Sequence, residues 1–246
     1  MNPIRQFIKK ATLTVIPQRL FLAHGTPDKD SSTVPANSHL SEQIKSKVNV
    51  SFTFDDGPHP EYTPQLLDIL KQYHQRATFF VIGEKAQQYP ELIERIINEG
   101  HEIGNHTYTH SEPSQTSTRK FLNEIEQTDE LLKQITGYTP DLVRPPKGKL
   151  TVGKILGLAM QRRTVVLWDM DPRDYLMTDN SEMSEWCQNY NPMPGNFCLM
   201  HDNHPFAFEA IKQLSENQET QIQSHIVSHW LPHKSYQSII NQRAHA

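Results

Sequence analysis

Cysteine is scarce in this chain: Cys187 and Cys198 are the only two in 246 residues. They lack the spacing of a metal knot and are too few to staple a fold of this size, so both are expected to be ordinary thiols, with Cys198 buried in a strand. No apolar run is long enough to span a membrane. The basic start MNPIRQFIKK leads into ATLTVIPQRLFLA, where Pro17, Gln18 and Arg19 interrupt the unbroken apolar stretch that a signal peptide needs. That favours the cytoplasm, with a membrane-associated N-terminus as the second reading. Cationic excess is also missing. A formal net charge of -4 argues against a nucleic-acid-binding surface and leaves neutral or weakly charged small molecules and polymers as substrates. With 36% apolar and 21% charged residues, the composition is not that of a disordered chain. The length suits one large α/β domain or two small ones, and one is the default expectation.

What is present is an alternation. Residues 24–42, HGTPDKDSSTVPANSHLSE, are rich in Ser, Thr, Asn, Asp and Pro without periodicity and read as a linker or surface arm. The expected organisation is an extension and linker over 1–47 and a compact domain over 48–246. From Val48 onward short apolar runs alternate with amphipathic ones. VNVSFTF predicts a strand, and TPQLLDILKQYH a helix with Thr63 as its cap and Pro64 at its first position. ATFFVIG then predicts a strand, PELIERIINEG a helix closed by Gly100, HEIGNH a short strand, and RKFLNEIEQTDELLKQITG a long helix closed by Gly137. DLVR, RTVVLWD and NFCLMH read as three further strands, with TVGKILGLAMQ a helix between the first two; SHIVSHWL reads as a last strand or a helix. Strands separated by crossover helices require a parallel sheet, so the expected fold is a distorted or incomplete (β/α) barrel.

In such a barrel the loops after the strands form the reactive face. Polar residues recur at that place: Asp55 and Asp56 after the first strand, His106 and His110 after the third, Arg144 after the fourth, Asp171 and Asp174 after the fifth, and His201 after the sixth. His106 and His110 are four residues apart, and with one carboxylate they would make a His, His, Asp set that binds a divalent ion while leaving positions for water and substrate. Taken alone, the pair also reads as surface histidines in a chain with 13 of them; an acidic pair at the same barrel end favours the metal. Adjacent acids on an extended segment point in different directions. One can therefore bind metal while the other faces substrate as a general base, although Asp-Asp-Gly-Pro by itself also reads as a simple turn. His225, His229 and His233 repeat every four residues and raise a second metal site, but Pro232 interrupts any helix and no carboxylate is in register, so an exposed histidine-bearing face is the favoured reading. Trp168 reads as core, and Trp186 as a surface on which a sugar could stack.

TFDDGPHP, His106-x-x-x-His110, RPPKG, DPRDY and LMHD, in that order over residues 48–215, resemble the polysaccharide deacetylase family, carbohydrate esterase family 4. The resemblance implies a distorted (β/α) barrel that holds zinc or another divalent metal and removes acetyl groups from N-acetylated sugars, or in some members O-acetylated ones. It further implies Asp55 as general base, with Asp56, His106 and His110 as metal ligands. Arg144 would orient the base, Asp174 would tune His201 as general acid, and Leu199 would line the pocket for the acetyl methyl. Zinc is the metal expected first, with cobalt, nickel or manganese also compatible with the donor set.

Two positions depart from the family pattern. Lys147 stands where an aromatic usually follows the two prolines, and Tyr175 replaces the more common tryptophan. Both are expected at the substrate groove, with Lys147 either presenting a cation to it or pointing to solvent. Chitin oligomers, peptidoglycan and exopolysaccharide precursors all fit as acetylated carbohydrate partners. The competing readings are an O-acetyl esterase and a carbohydrate-binding protein on the same fold that has lost catalysis. The presence of Asp55, Asp56, His106, His110 and His201 weighs against the second.

Overall fold

The computed structural model describes residues 21–25, 47–217 and 220–231. The apolar run before Phe21, most of the linker, and His233 lie outside the described residues. Eight strands and seven α-helices alternate in this part of the chain: β1 (Phe21–Leu22), β2 (Val48–Asp55), α1 (Tyr62–Gln72), β3 (Ala77–Val81), α2 (Gly83–Gln88), α3 (Pro90–Asn98), β4 (Glu102–Asn105), α4 (Thr118–Thr136), β5 (Leu142–Val143), α5 (Val152–Met160), β6 (Thr164–Val166), α6 (Asn180–Asn189), β7 (Phe197–His201), α7 (Phe206–Glu216) and β8 (Ile222–Ser224). All pairings are parallel, in the order β1-β6-β5-β4-β3-β2-β7, with β8 beside the start of β2. The curl closes at one rim. Beyond β6 the chain bridges from Met170 to Cys198, and the Asp169 and Met170 amides donate to the Phe197 carbonyl at 3.2 and 3.1 Å. This is the distorted parallel barrel expected from the alternation. No helix among the described residues is long and apolar enough to cross a membrane.

Strand alternation sorts the side chains. Phe52 and Phe54 of β2 pack outward with Leu66, Leu67 and Leu70 of α1, Ile93 and Ile96 of α3, and Met200 of β7 in the main core. The barrel interior is filled by Phe80, Leu142, Val166 and Phe197, together with Val227 and Trp230 from the 3-10 turn Val227–Trp230 that follows β8. SHIVSHWL is therefore split: its first residue ends β8, and the rest turns inward as a plug, with Trp230 Nε1 donating to Ser51 Oγ at 2.9 Å.

The helix ends follow local chemistry. Ser117 Oγ accepts from the Lys120 amide at the start of α4, and Gly137 ends it in the left-handed region at φ 82. Thr63 is not a cap. Helix α1 begins two residues earlier than expected, at Tyr62 rather than Pro64, with Glu61 at the N-cap and no side-chain cap bond. The Thr63 hydroxyl instead accepts from the His59 amide at 2.7 Å and donates to Asp202 Oδ2 at 2.6 Å, because a buried carboxylate competes for it. Both cysteines are free and buried, Cys198 in β7 and Cys187 in α6.

Candidate active site

At the carboxyl rim, β2 and β7 stand in a register that pairs Asp55 with His201, so both side chains reach the inner face side by side. Asp55, at the last position of β2, is 4% exposed. Its Oδ1 accepts from Arg144 Nη1 at 2.7 Å. Arg144 follows β5 and is wholly buried. Its remaining donors reach Thr53 Oγ1 at 2.8 Å, the Val166 carbonyl at 3.3 Å and the Leu167 carbonyl at 3.2 Å, while its guanidinium lies 4.1 Å from the Phe80 ring centroid. A planar cation with several donors is held rigidly by such a ring of acceptors, and it fixes the carboxylate it touches.

Asp56 adopts φ 71, in the left-handed region, and is followed by a cis Gly57-Pro58 bond. That turn separates the two acids. Lys85 of α2 fastens it by donating from Nζ to the Asp56 carbonyl at 2.5 Å. Gly57 is needed for contact: a Cβ there would come within 2.1 Å of Asp202 Oδ2. Asp56 Oδ1 is turned into the site, 3.5 Å from His106 Nε2 and 3.5 Å from His110 Nε2. It is buried and makes no hydrogen bond among the described residues. His106 Nδ1 lies 2.6 Å from the Arg144 carbonyl, which places its proton there and leaves Nε2 facing the two acids. Burial, the largest single influence, pushes the Asp56 carboxyl up; His106, His110 and His201 together outweigh it and hold the group well below the usual carboxylate range. His106 is likewise opposed by burial yet raised by Asp55 and Asp56, whereas burial lowers His110.

Three ligand atoms converging within 4.8 Å of one another, one an unpartnered buried carboxylate oxygen, suit a divalent cation. The hydrogen bond from His106 to a backbone carbonyl is the outer support that ligating histidines ordinarily have.

The opposite wall is made by the 3-10 turn Asp174–Leu176. Asp174 is fully buried and grips His201 twice, through Oδ1 to Nδ1 at 2.7 Å and through Oδ2 to the backbone amide at 2.7 Å. Burial alone would lower the His201 imidazole, but the Asp174 carboxylate overrides it and raises the group to about 9. Tyr175 meets the His201 ring edge-on at 5.5 Å and is 54% exposed. Leu199 is buried on the inner face of β7, two residues before His201. Lys147 has φ 55, and its exposed ammonium is paired with Glu112. Asp171 sits outside the cluster, taking hydrogen bonds from Trp168 and from the Arg173 amide. Trp168 packs against the core, and Trp186 stacks on Tyr190 at 4.8 Å. His225 and His229 stack at 4.2 Å, but among the described residues they do not assemble into a group of three possible metal ligands. Burial and the neighbouring His229 lower His225 to about 4.

Two contributors have little or no signature in the sequence. Lys85 acts on a main-chain carbonyl, which no motif marks. His204 lies with Nε2 3.6 Å from Asp174 Oδ2; its only trace is the His-x-x-His spacing in HDNH.

Comparison with known proteins agrees with this geometry. Residues 42–160 match the family model described as polysaccharide deacetylase. The chain is 34% identical over 199 residues to a peptidoglycan-N-acetylglucosamine deacetylase of Bacillus cereus, covering 79% of this chain and 72% of that protein. It is 36% identical to a chitooligosaccharide deacetylase of a Bradyrhizobium strain over 66% of this chain and 74% of that one. The solved structure of the peptidoglycan deacetylase PdaC from Bacillus subtilis superposes with a TM-score of 0.68 at 34% identity, covering 81% of this chain and 94% of that one. With a relative above 30% identity matched over most of its length, and five ordered motifs meeting at one rim, this chain belongs to the polysaccharide deacetylase family.

Proposed function

We propose that the protein is a hydrolase that removes N-acetyl groups from an N-acetylated sugar polymer or oligomer, with Asp55 as base and His201 as acid. The observation that carries this reading is the strand register that sets Asp55 beside His201, each held by its own buried partner, with Asp56, His106 and His110 converging next to them. Asp56, His106 and His110 would hold a divalent cation, which would supply a Lewis acid for the acetyl carbonyl and for water; zinc is the expected ion, and cobalt, nickel and manganese also fit these donors.

The chain's own groups do the rest. Asp55, its carboxylate oriented by Arg144, takes the proton from the attacking water. Leu199 gives the acetyl methyl an apolar wall. A main-chain N–H in the Arg144 to Lys147 loop donates to the charge growing on the acetyl oxygen. His201, held protonated by Asp174, delivers its proton to the departing nitrogen. That step is needed because an amide anion is a very poor leaving group. Tyr175 and Lys147 flank the opening and contact the sugar.

The test is acetate release from N-acetylchitooligosaccharides and from peptidoglycan fragments, comparing chelated protein with protein given back zinc or cobalt. Metal-dependent release is expected, and Asp55→Asn should abolish most of it while the metal stays bound. Near wild-type release from Asp55→Asn would overturn the assignment of the base. His201→Ala should impair amide cleavage far more than cleavage of an activated acetyl ester; equal impairment would remove His201 from the role of acid.

A further inference from the structure

Asp174, His201 and His204 form a second group whose possible ligand atoms all lie within 4.8 Å of one another. We propose that these three residues make a second, weaker site for a divalent cation of the zinc class, and that filling it captures His201 and so arrests the deacetylase. The inhibitory consequence rests on the reading of His201 as acid; the binding itself does not.

Three observations carry the proposal. His204 Nε2 is 3.6 Å from Asp174 Oδ2, beyond the roughly 2.7–3.2 Å of an N–H to oxygen hydrogen bond. It matches the 3.5 Å spans from Asp56 Oδ1 to His106 Nε2 and to His110 Nε2 in the first site. Two donors each about 2.0–2.1 Å from a tetrahedral zinc lie roughly 3.3 Å apart, so either pair closes on a cation with a small movement.

His204 is otherwise unexplained. Both of its ring nitrogens are buried without a hydrogen-bond partner among the described residues, although its side chain sits beside a fully buried carboxylate. Buried polar groups in native proteins have partners, and a pair of orphaned ring nitrogens calls for one. Packing accounts for the ring, which lies 5.2 Å from Phe206 and 5.9 Å from His201, but not for the nitrogens.

The carboxylate also has capacity left. Asp174 Oδ2 accepts the His201 amide at 2.7 Å, and a carboxylate oxygen has a second lone pair. The same bond explains why this site is the weaker one. A cation here must displace or share contacts that Asp174 already makes with His201, whereas the first site offers an oxygen with no competing hydrogen bond.

The experiment is equilibrium dialysis of the full chain against zinc, counting bound ions per molecule, with acetate release followed over the same concentrations. Wild type is expected to bind two ions, and release should rise with the first and fall with the second. His204→Gln should keep the first ion, which also reports that it is folded, and weaken the second by at least about 10-fold; the zinc concentration that inhibits should shift by the same factor. Asp56→Asn should lose the tighter ion and keep the weaker. The proposal is overturned if wild type binds a single ion throughout the inhibitory range, or if His204→Gln binds the second ion unchanged. Should His204→Gln misfold, cobalt titration of wild type decides: a second set of visible bands, appearing after the first is complete, supports the site, and one set alone refutes it. Two bound ions with no acetate released at any zinc level would leave this site standing and sink the deacetylase reading instead.

Discussion

Replacing Arg144 with methionine tests whether the buried ion pair is what holds Asp55. The methionine fills much of the same space but removes the cation. Asp55, 4% exposed, would lose its guanidinium and keep only the His106 imidazole, 3.6 Å from Oδ2, and Thr53 Oγ1 and the carbonyls of Val166 and Leu167 would lose the donors they now have. Removing one member of a buried pair costs about 3–5 kcal/mol. At roughly 2–4 °C per kcal/mol for a domain of this size, the melting temperature should fall by about 6–20 °C. The double variant with Asp55→Asn removes the stranded charge, so it should recover part of the loss and give an interaction of about 1–3 kcal/mol in the cycle. Arg144→Lys, which keeps a charge but cannot span all these acceptors, should fall between the two. Urea and thermal unfolding followed by circular dichroism, in chelator so that no metal contributes, measures wild type, Arg144→Met, Asp55→Asn, their double variant and Arg144→Lys. A loss below about 1 kcal/mol for Arg144→Met, or single effects that add within about 0.5 kcal/mol, would refute the account of Arg144 as the clamp on Asp55.

Other consequences concern pH. His201 is raised from 6.5 to about 9, so its acid form is populated below about 9 and is lost as pH rises through that value. In Asp174→Asn the strongest raising influence is gone while burial and the weaker pull of Asp55 and Asp56 remain, so the alkaline limb of the kcat profile should move down toward about 6.5; an unmoved limb would assign the titration to another group. Asp202 is buried, and desolvation pushes it from 3.8 to about 7. The folded chain therefore binds its proton more tightly than the unfolded chain does, and stability is lost as pH rises from about 4 to about 7. Asp202→Asn should be more stable than wild type by about 1–3 kcal/mol at pH 8 and gain little at pH 4. An equal difference in urea unfolding at both values would show that the carboxyl is not the source.

Much of the rim was legible because strand chemistry is periodic. β2 alternates outward Phe52 and Phe54 with inward Thr53 and Asp55, so a run that ends in an acid at an inward position delivers it to the barrel mouth. Similar logic carried His106, Arg144, Asp174 and His201 to the same rim, and the glycine stops at Gly100 and Gly137 both take positive φ. What escaped notice lacked a periodic or compositional signal. β1 is two residues long, too short for alternation to register. Thr63 resembles a cap in one dimension, and only the fold brings Asp202 beside it. The pairing of Lys147 with Glu112 joins two loops far apart in sequence, so its acidic partner could not be read from the RPPKG motif.

The short strand β1 has a consequence for how the molecule is made. Phe21 and Leu22 pair with Val165 and Val166, and the Gly25 amide donates to the Gly195 carbonyl at 2.7 Å. During vectorial synthesis the earliest of these segments must wait for partners that leave the ribosome roughly 10–30 s later at ordinary elongation rates. The seam beside β6 is thus among the last parts of the molecule that can be sewn, and until then the nascent sheet presents an open edge of the kind that invites wrong partners. A substitution in β1 would show itself first in the yield of newly made protein.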